Sequence, residues 1–134
     1  MPLYMRQITE VIAVKKRILK ISAIALLTLA ILAGAFAMYV GNYYSAELDD
    51  IGVFESMNNV DFTTEDDGTM VFGNKDADVG LIFYPGGKVE YTAYQPLMAA
   101  LAERGITCVL LKMPFNLAVF DVNAAKGIRE KYPD

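Results

Sequence analysis

Hydrophobic and polar positions alternate with three different rhythms along the chain. Residues 21–46 carry no charged side chain, and ISAIALLTLAILAGAFAMYV (residues 21–40) is apolar almost throughout. Twenty helical residues reach about 30 Å, the thickness of a bilayer's hydrocarbon core, so this run predicts a transmembrane helix over residues 21–43. Residues 1–20 form a basic segment before it, and residues 44–59 read as an acidic linker after it.

From residue 60 the rhythm shortens. Val60 and Phe62 alternate with Asp61 and Thr63, Asp67-Gly68 is a turn signal, and residues 69–72 return as a second strand of a hairpin. Residues 74–78 are polar and read as a loop. Val79–Tyr84 is apolar except for Gly80, the pattern of a strand buried on both faces of a parallel sheet. Tyr94, Leu97, Met98 and Leu101 then fall on one face of a helix that starts near Thr92 or Ala93, with Gln95 and Glu103 elsewhere on its surface. Pro96 suits its first turn and Gly105 its end. Residues 106–111 make a second apolar strand, which completes a βαβ unit. Asn116 is placed to cap a turn through Phe120, and a last helix is expected from Val122 to Lys131. The predicted fold class is α/β: a membrane helix, a hairpin and one βαβ unit, an incomplete sheet over residues 60–134.

Charge divides where hydropathy does. Residues 1–40 hold five basic side chains and one acidic, net +4; residues 41–134 hold seven basic and fifteen acidic, net −8. Basic residues stay cytoplasmic, so the N-terminus is expected inside and the domain outside, with Tyr39, Tyr43 and Tyr44 at the outer interface. The competing expectation is a secretory signal cleaved near Ala37, where Ala35-Phe36-Ala37 has the small-x-small pattern. An acidic exported part repels phosphates, which argues against nucleic acid as a partner.

The chain has no histidine and one cysteine. These counts exclude an intrachain disulfide, a His-ligated zinc site and a His-based triad built from these residues alone. Cys108 reads as a small core hydrophobe. No metal and no cofactor is expected. Met113, Phe115, Val119 and Phe120 read as core packing residues.

The remaining chemistry sits in Pro85-Gly86-Gly87-Lys88, directly after an apolar strand. A Walker loop fails there, because Ile82 stands where its first glycine belongs and Val89 where its Ser or Thr belongs. The G-x-G-x-x-G pattern is absent as well. A turn in which glycine supplies a positive φ and an oxyanion loop of exposed backbone N–H groups both remain open.

LIFYPGGKV followed by EYTAYQPLMAALAERGITCVLLKMPFNLAVF resembles the opening of an alpha/beta hydrolase. YPGG at the oxyanion loop is similar to the dienelactone-hydrolase-like branch, and the resemblance covers about residues 58–134. It implies that the Gly87 N–H is an oxyanion donor, that Gly86 allows the turn, and that Lys88 and Tyr94 line the mouth of a substrate site. The family's nucleophile elbow, G-x-S-x-G, is missing. Ser22, Ser45 and Ser56 lack its flanking glycines, and Asp121 and Asp134 precede any place where the acid would stand. The resemblance therefore implies the N-terminal part of a membrane-anchored, extracytoplasmic serine hydrolase for a small acyl substrate, inactive as this chain alone. The alternative is a small anchored binding or interaction protein without catalysis.

Overall fold

The computed structural model describes residues 3–47, 59–74 and 76–132. Most of the expected linker, together with Ser56 and Asp134, lies outside the described residues. The chain divides into two compact units, one up to Tyr39 and one from Val40 onward.

The first unit is a single helix. α1 runs Leu3–Gly41, so the basic segment is helical together with the apolar run. None of its side chains is buried. Arg6 and Glu10 pair one turn apart at 3.5 Å. Thr28, a hydroxyl within the apolar stretch, donates to the Ile24 carbonyl at 3.0 Å, which satisfies it without water. Among the described residues, α1 is the one helix long and apolar enough to cross a membrane.

The second unit is a four-stranded mixed sheet with helices on both faces. Its elements are β1 (Val60–Thr64), β2 (Met70–Asn74), β3 (Val79–Phe83), α2 (Gln95–Ala102), β4 (Ile106–Leu110) and α3 (Ala124–Lys131). The strand order is β1-β2-β4-β3. β1 and β2 form the expected antiparallel hairpin, with Phe62 opposite Phe72. β4 pairs antiparallel with β2 and parallel with β3, Phe83 lying opposite Leu110. The βαβ unit is therefore present, and β4 rather than β3 is the interior strand.

That order explains one departure from expectation. β3 was expected to be buried on both faces; instead Val79 and Gly80 are exposed and the rest is half-buried. As the sheet's edge it has a strand on one side only, whereas Cys108, Val109 and Leu110 of β4 are buried.

Alternation along β2 and β4 sends side chains to two cores. Met70, Phe72, Cys108 and Leu110 meet Met98, Ala99 and Ala102 of α2 on one face. Val71, Val109, Leu111 and Met113 meet Ile128 of α3 on the other. Burial removes the Cys108 side chain from solvent and pushes its thiol pKa up, in keeping with a packing role.

α2 turns inward a face that partly matches the one expected: Met98 is buried and Tyr94 and Leu101 pack against the same core, while Gln95, Ala99 and Ala102 join them and Leu97 does not. Tyr91–Tyr94 forms a 3₁₀ turn, and the α-helix begins only at Gln95. Gln95 is 4 % exposed and donates to the Met70 sulfur at 2.9 Å, while Leu97 is 48 % exposed. α3 begins at Ala124, later than expected, and no side chain of Asn123 caps it. The cap comes from across the fold: the Tyr84 hydroxyl accepts the Ala125 N–H at 2.8 Å and donates to the Val122 carbonyl at 3.2 Å. One phenol thus satisfies an orphan donor at the helix start and ties it to the end of β3.

Candidate functional site

Two loops leave the carboxyl ends of the parallel strands, where open α/β sheets bind ligands. The first, Pro85–Val89, follows β3; the second, Met113–Phe120, follows β4. Lys88 joins them by donating its N–H to the Asn116 carbonyl at 2.8 Å.

Both loops carry unusual backbone. Among described non-glycine residues, Lys88 (φ 61°), Phe115 (φ 55°) and Asn116 (φ 54°) adopt the left-handed conformation, as does Asn59 elsewhere. Each such residue costs on the order of 1–3 kcal/mol and persists where its surroundings over-determine it. Three of the four lie in this pair of loops. Asn116 does not cap a helix with its side chain; its place is set by its left-handed backbone and by the carbonyl that receives Lys88.

The glycines serve another need than positive φ, which neither Gly86 nor Gly87 adopts. Gly86 donates its N–H to the Tyr94 hydroxyl at 3.1 Å. A Cβ on Gly86 would meet that same oxygen at 2.6 Å, so close approach of Tyr94 demands glycine here. Tyr94 is half-buried against the Phe83 ring, with centroids 4.9 Å apart. At Gly87 a Cβ would find only Leu117 Cδ2, at an ordinary 3.6 Å. Gly87 is exposed, and its N–H donates to no acceptor among the described residues. Lys88 is half-buried, with its backbone N–H committed to Asn116.

A third strand of contacts comes from the end of α1, within the second unit. Tyr44 forms a parallel bridge with Val89. Its N–H donates to the Lys88 carbonyl and its carbonyl accepts the Glu90 N–H, both at 2.8 Å. The Glu90 carboxylate then accepts the Ala46 N–H at 2.9 Å. Residues 44–46 are thus the splint of the glycine loop and not free linker. Nothing in the sequence pattern announced this, because isolated bridge residues carry no periodicity.

Residues 80–134 match the alpha/beta hydrolase family. That alpha/beta-hydrolase-like stretch takes in most of β3, the glycine loop, α2, β4 and α3, about two fifths of the chain. No curated protein and no solved structure matches the chain.

Other site expectations fare differently. The structure brings Gly86 and Tyr94 into contact and sets Lys88 beside Asn116. Met113 is buried as expected, but Phe115, Val119 and Phe120 are 57 %, 71 % and 49 % exposed, so three of the four expected core residues face solvent. After the left-handed pair Phe115-Asn116 it is Ala118 that packs against the α3-face core, and its larger neighbours Val119 and Phe120 are left outside. A cavity of about 470 Å³ lies beside β3 and α3, lined by Val71, Asp78, Leu81, Val109, Ile128 and Tyr132 among others. The glycine loop does not line it. No cluster of metal-ligating side chains occurs among the described residues.

Proposed function

We propose that this chain contributes the N-terminal part of a membrane-anchored, extracytoplasmic alpha/beta hydrolase acting on ester or related acyl bonds. The observation that carries the reading is Gly87, exposed at the carboxyl end of β3 within the matched segment, with an N–H that meets no acceptor among the described residues. A donor so placed is available to a developing oxyanion. Gly86 supports it by seating on Tyr94, and Lys88 and Tyr94 flank the approach of a small acyl substrate. Kinship with the dienelactone-hydrolase-like branch rests on Tyr84-Pro85-Gly86-Gly87. The nucleophile, acid and base come from residues outside this sequence, since it holds no histidine and no serine elbow. The chain alone is therefore inactive. α1 serves as the anchor, its basic end cytoplasmic.

Among the described residues β3 pairs with a strand on one side only, which supports the same reading, because such an edge accepts a further strand. It equally supports the alternative of an anchored binding protein.

Hydrolysis of a chromogenic short-chain ester separates the two. The chain alone gives background rates, and the longer gene product that supplies a G-x-S-x-G serine is active. In that product Gly87→Pro, which removes the amide hydrogen, lowers kcat about 10²–10³-fold. Gly87→Ala keeps the hydrogen, meets only Leu117, and keeps the rate. Equal rates for the proline and alanine variants would overturn the assignment of Gly87. A longer product without such a serine, or with no esterase activity, favours the binding protein.

A further inference from the structure

The loop after β4 presents an apolar surface that catalysis at Gly87 does not require. Phe115, Val119 and Phe120 are 57 %, 71 % and 49 % exposed. The Phe115 and Phe120 rings meet edge to face with centroids 5.5 Å apart, so two exposed aromatics form one ridge. Met113–Phe120 has no charged side chain, in a part of the chain whose net charge is −8. Exposed apolar side chains clustered in this way mark contact with a protein or a membrane.

Chain connectivity selects between them. α1 ends at Gly41, and Tyr44 is pinned to Lys88 and Glu90. Three residues span at most about 10 Å. Lys88 is bonded in turn to Asn116, the neighbour of Phe115. The apolar ridge is thus held one short tether and two hydrogen-bonded steps from the residue at which the apolar helix ends. All of these residues belong to the second unit.

We propose that the Phe115–Phe120 ridge docks on the lipid surface in which the chain's own α1 is anchored. This rests on the reading of α1 as a membrane anchor, and it is independent of the serine chemistry. Docking is intramolecular once α1 is inserted, so a small ridge suffices where the same patch on a free protein would bind weakly. Aromatic rings are favoured at the headgroup level. The acidic remainder is repelled by anionic headgroups, which leaves the uncharged ridge as the side that faces them.

The chain contains no tryptophan, so a single introduced indole reports its own surroundings. Val119→Trp and Phe120→Trp, each in the full chain reconstituted into liposomes of phosphatidylcholine and phosphatidylglycerol, are compared with Phe62→Trp on the outer strand β1. Lipids with acyl chains brominated near the headgroup are expected to quench both ridge reporters severalfold more than the β1 reporter. Equal quenching at all three positions, or none at the ridge in vesicles that carry the protein, overturns the docking. Blue-shifted ridge emission without bromine quenching means that a second copy or another protein covers the ridge, and it too overturns the proposal. Failure of the chain to float with the vesicles overturns the anchor and the docking together. Two ridge reporters guard against a local misfit at either one.

Discussion

The two faces of the sheet are made from alternating residues of the same strands, yet they are finished differently. On the α2 face, Phe72, Met98, Ala99, Ala102, Cys108 and Leu110 are all fully buried. Small Ala99 and Ala102 let the helix lie close, so an eight-residue helix seals the core. On the α3 face, a helix of equal length contributes one buried residue, Ile128. Cavities of about 470 and 410 Å³ open around it, and Ile128 lines both. Helix length therefore does not decide closure; the number of inward residues does. α3 is held instead by polar ties at its ends, Tyr84 at the start and the Glu65 carboxylate at Lys131 and Tyr132 near the finish.

Adjacent leucines give the largest test of this difference. Leu110 points into the α2 core and Leu111 into the α3 core, with equal chemistry. Leu110→Ala is expected to cost about 4 kcal/mol, and Leu111→Ala about 2 to 3, because the space beside Leu111 can relax or fill with water. Urea denaturation of the full chain in detergent micelles, followed by near-UV circular dichroism, reads both. Equal losses would show that the two faces are packed alike.

A smaller effect is expected from the polar ties. Tyr84→Phe removes the acceptor for Ala125 N–H and should cost about 1 kcal/mol, the scale of a lost helix cap. Hydrogen exchange should rise in α3 and remain unchanged in α2. Faster exchange in both helices would mean that Tyr84 supports the sheet rather than the α3 face.

The smallest effect is a dependence on pH. Hydrogen bonding from Lys131, then from Tyr132, holds the Glu65 carboxyl below its ordinary value. The unfolded chain therefore binds the Glu65 proton more tightly than the folded chain does. The stabilisation is present above the ordinary Glu pKa and disappears as pH falls through the depressed folded value. The same bond to Glu65 raises the Lys131 pKa, so that contribution is present below the ordinary Lys pKa and fades as pH rises through the raised one. The Lys131 side chain is more than half exposed, and solvent screening there keeps both contributions small. Glu65→Gln should flatten the acid limb of the stability curve, and an unchanged limb would remove the pair from the account.

Periodicity made some parts of this molecule readable and hid others. The apolar run, the hairpin and the βαβ unit each repeat a pattern over five or more residues, and each appears where expected. Burial of β3 was misjudged because an apolar run is the same on an interior strand and on an edge; strand order decides, and order is a long-range property. The α2 face is legible in Tyr94, Met98 and Leu101; Gln95 joins that core through a hydrogen bond to the Met70 sulfur, which a pattern of apolar residues does not announce. Phe115, Val119 and Phe120 look like core by side-chain type, but in this loop small Ala118 takes the inward place and the larger side chains stay exposed. At the candidate site, Pro-Gly-Gly was legible as a loop. Its contacts with Tyr94, Asn116 and Tyr44 were not, since each joins residues remote in sequence through single hydrogen bonds.

The bridge between Tyr44 and Val89 has one more consequence. Ala37 lies upstream of it, so scission near that alanine would discard most of the greasy rod and leave residues 38–46 attached. Liberation from the bilayer and loss of shape around the glycines are thereby uncoupled: the soluble remnant would keep its brace.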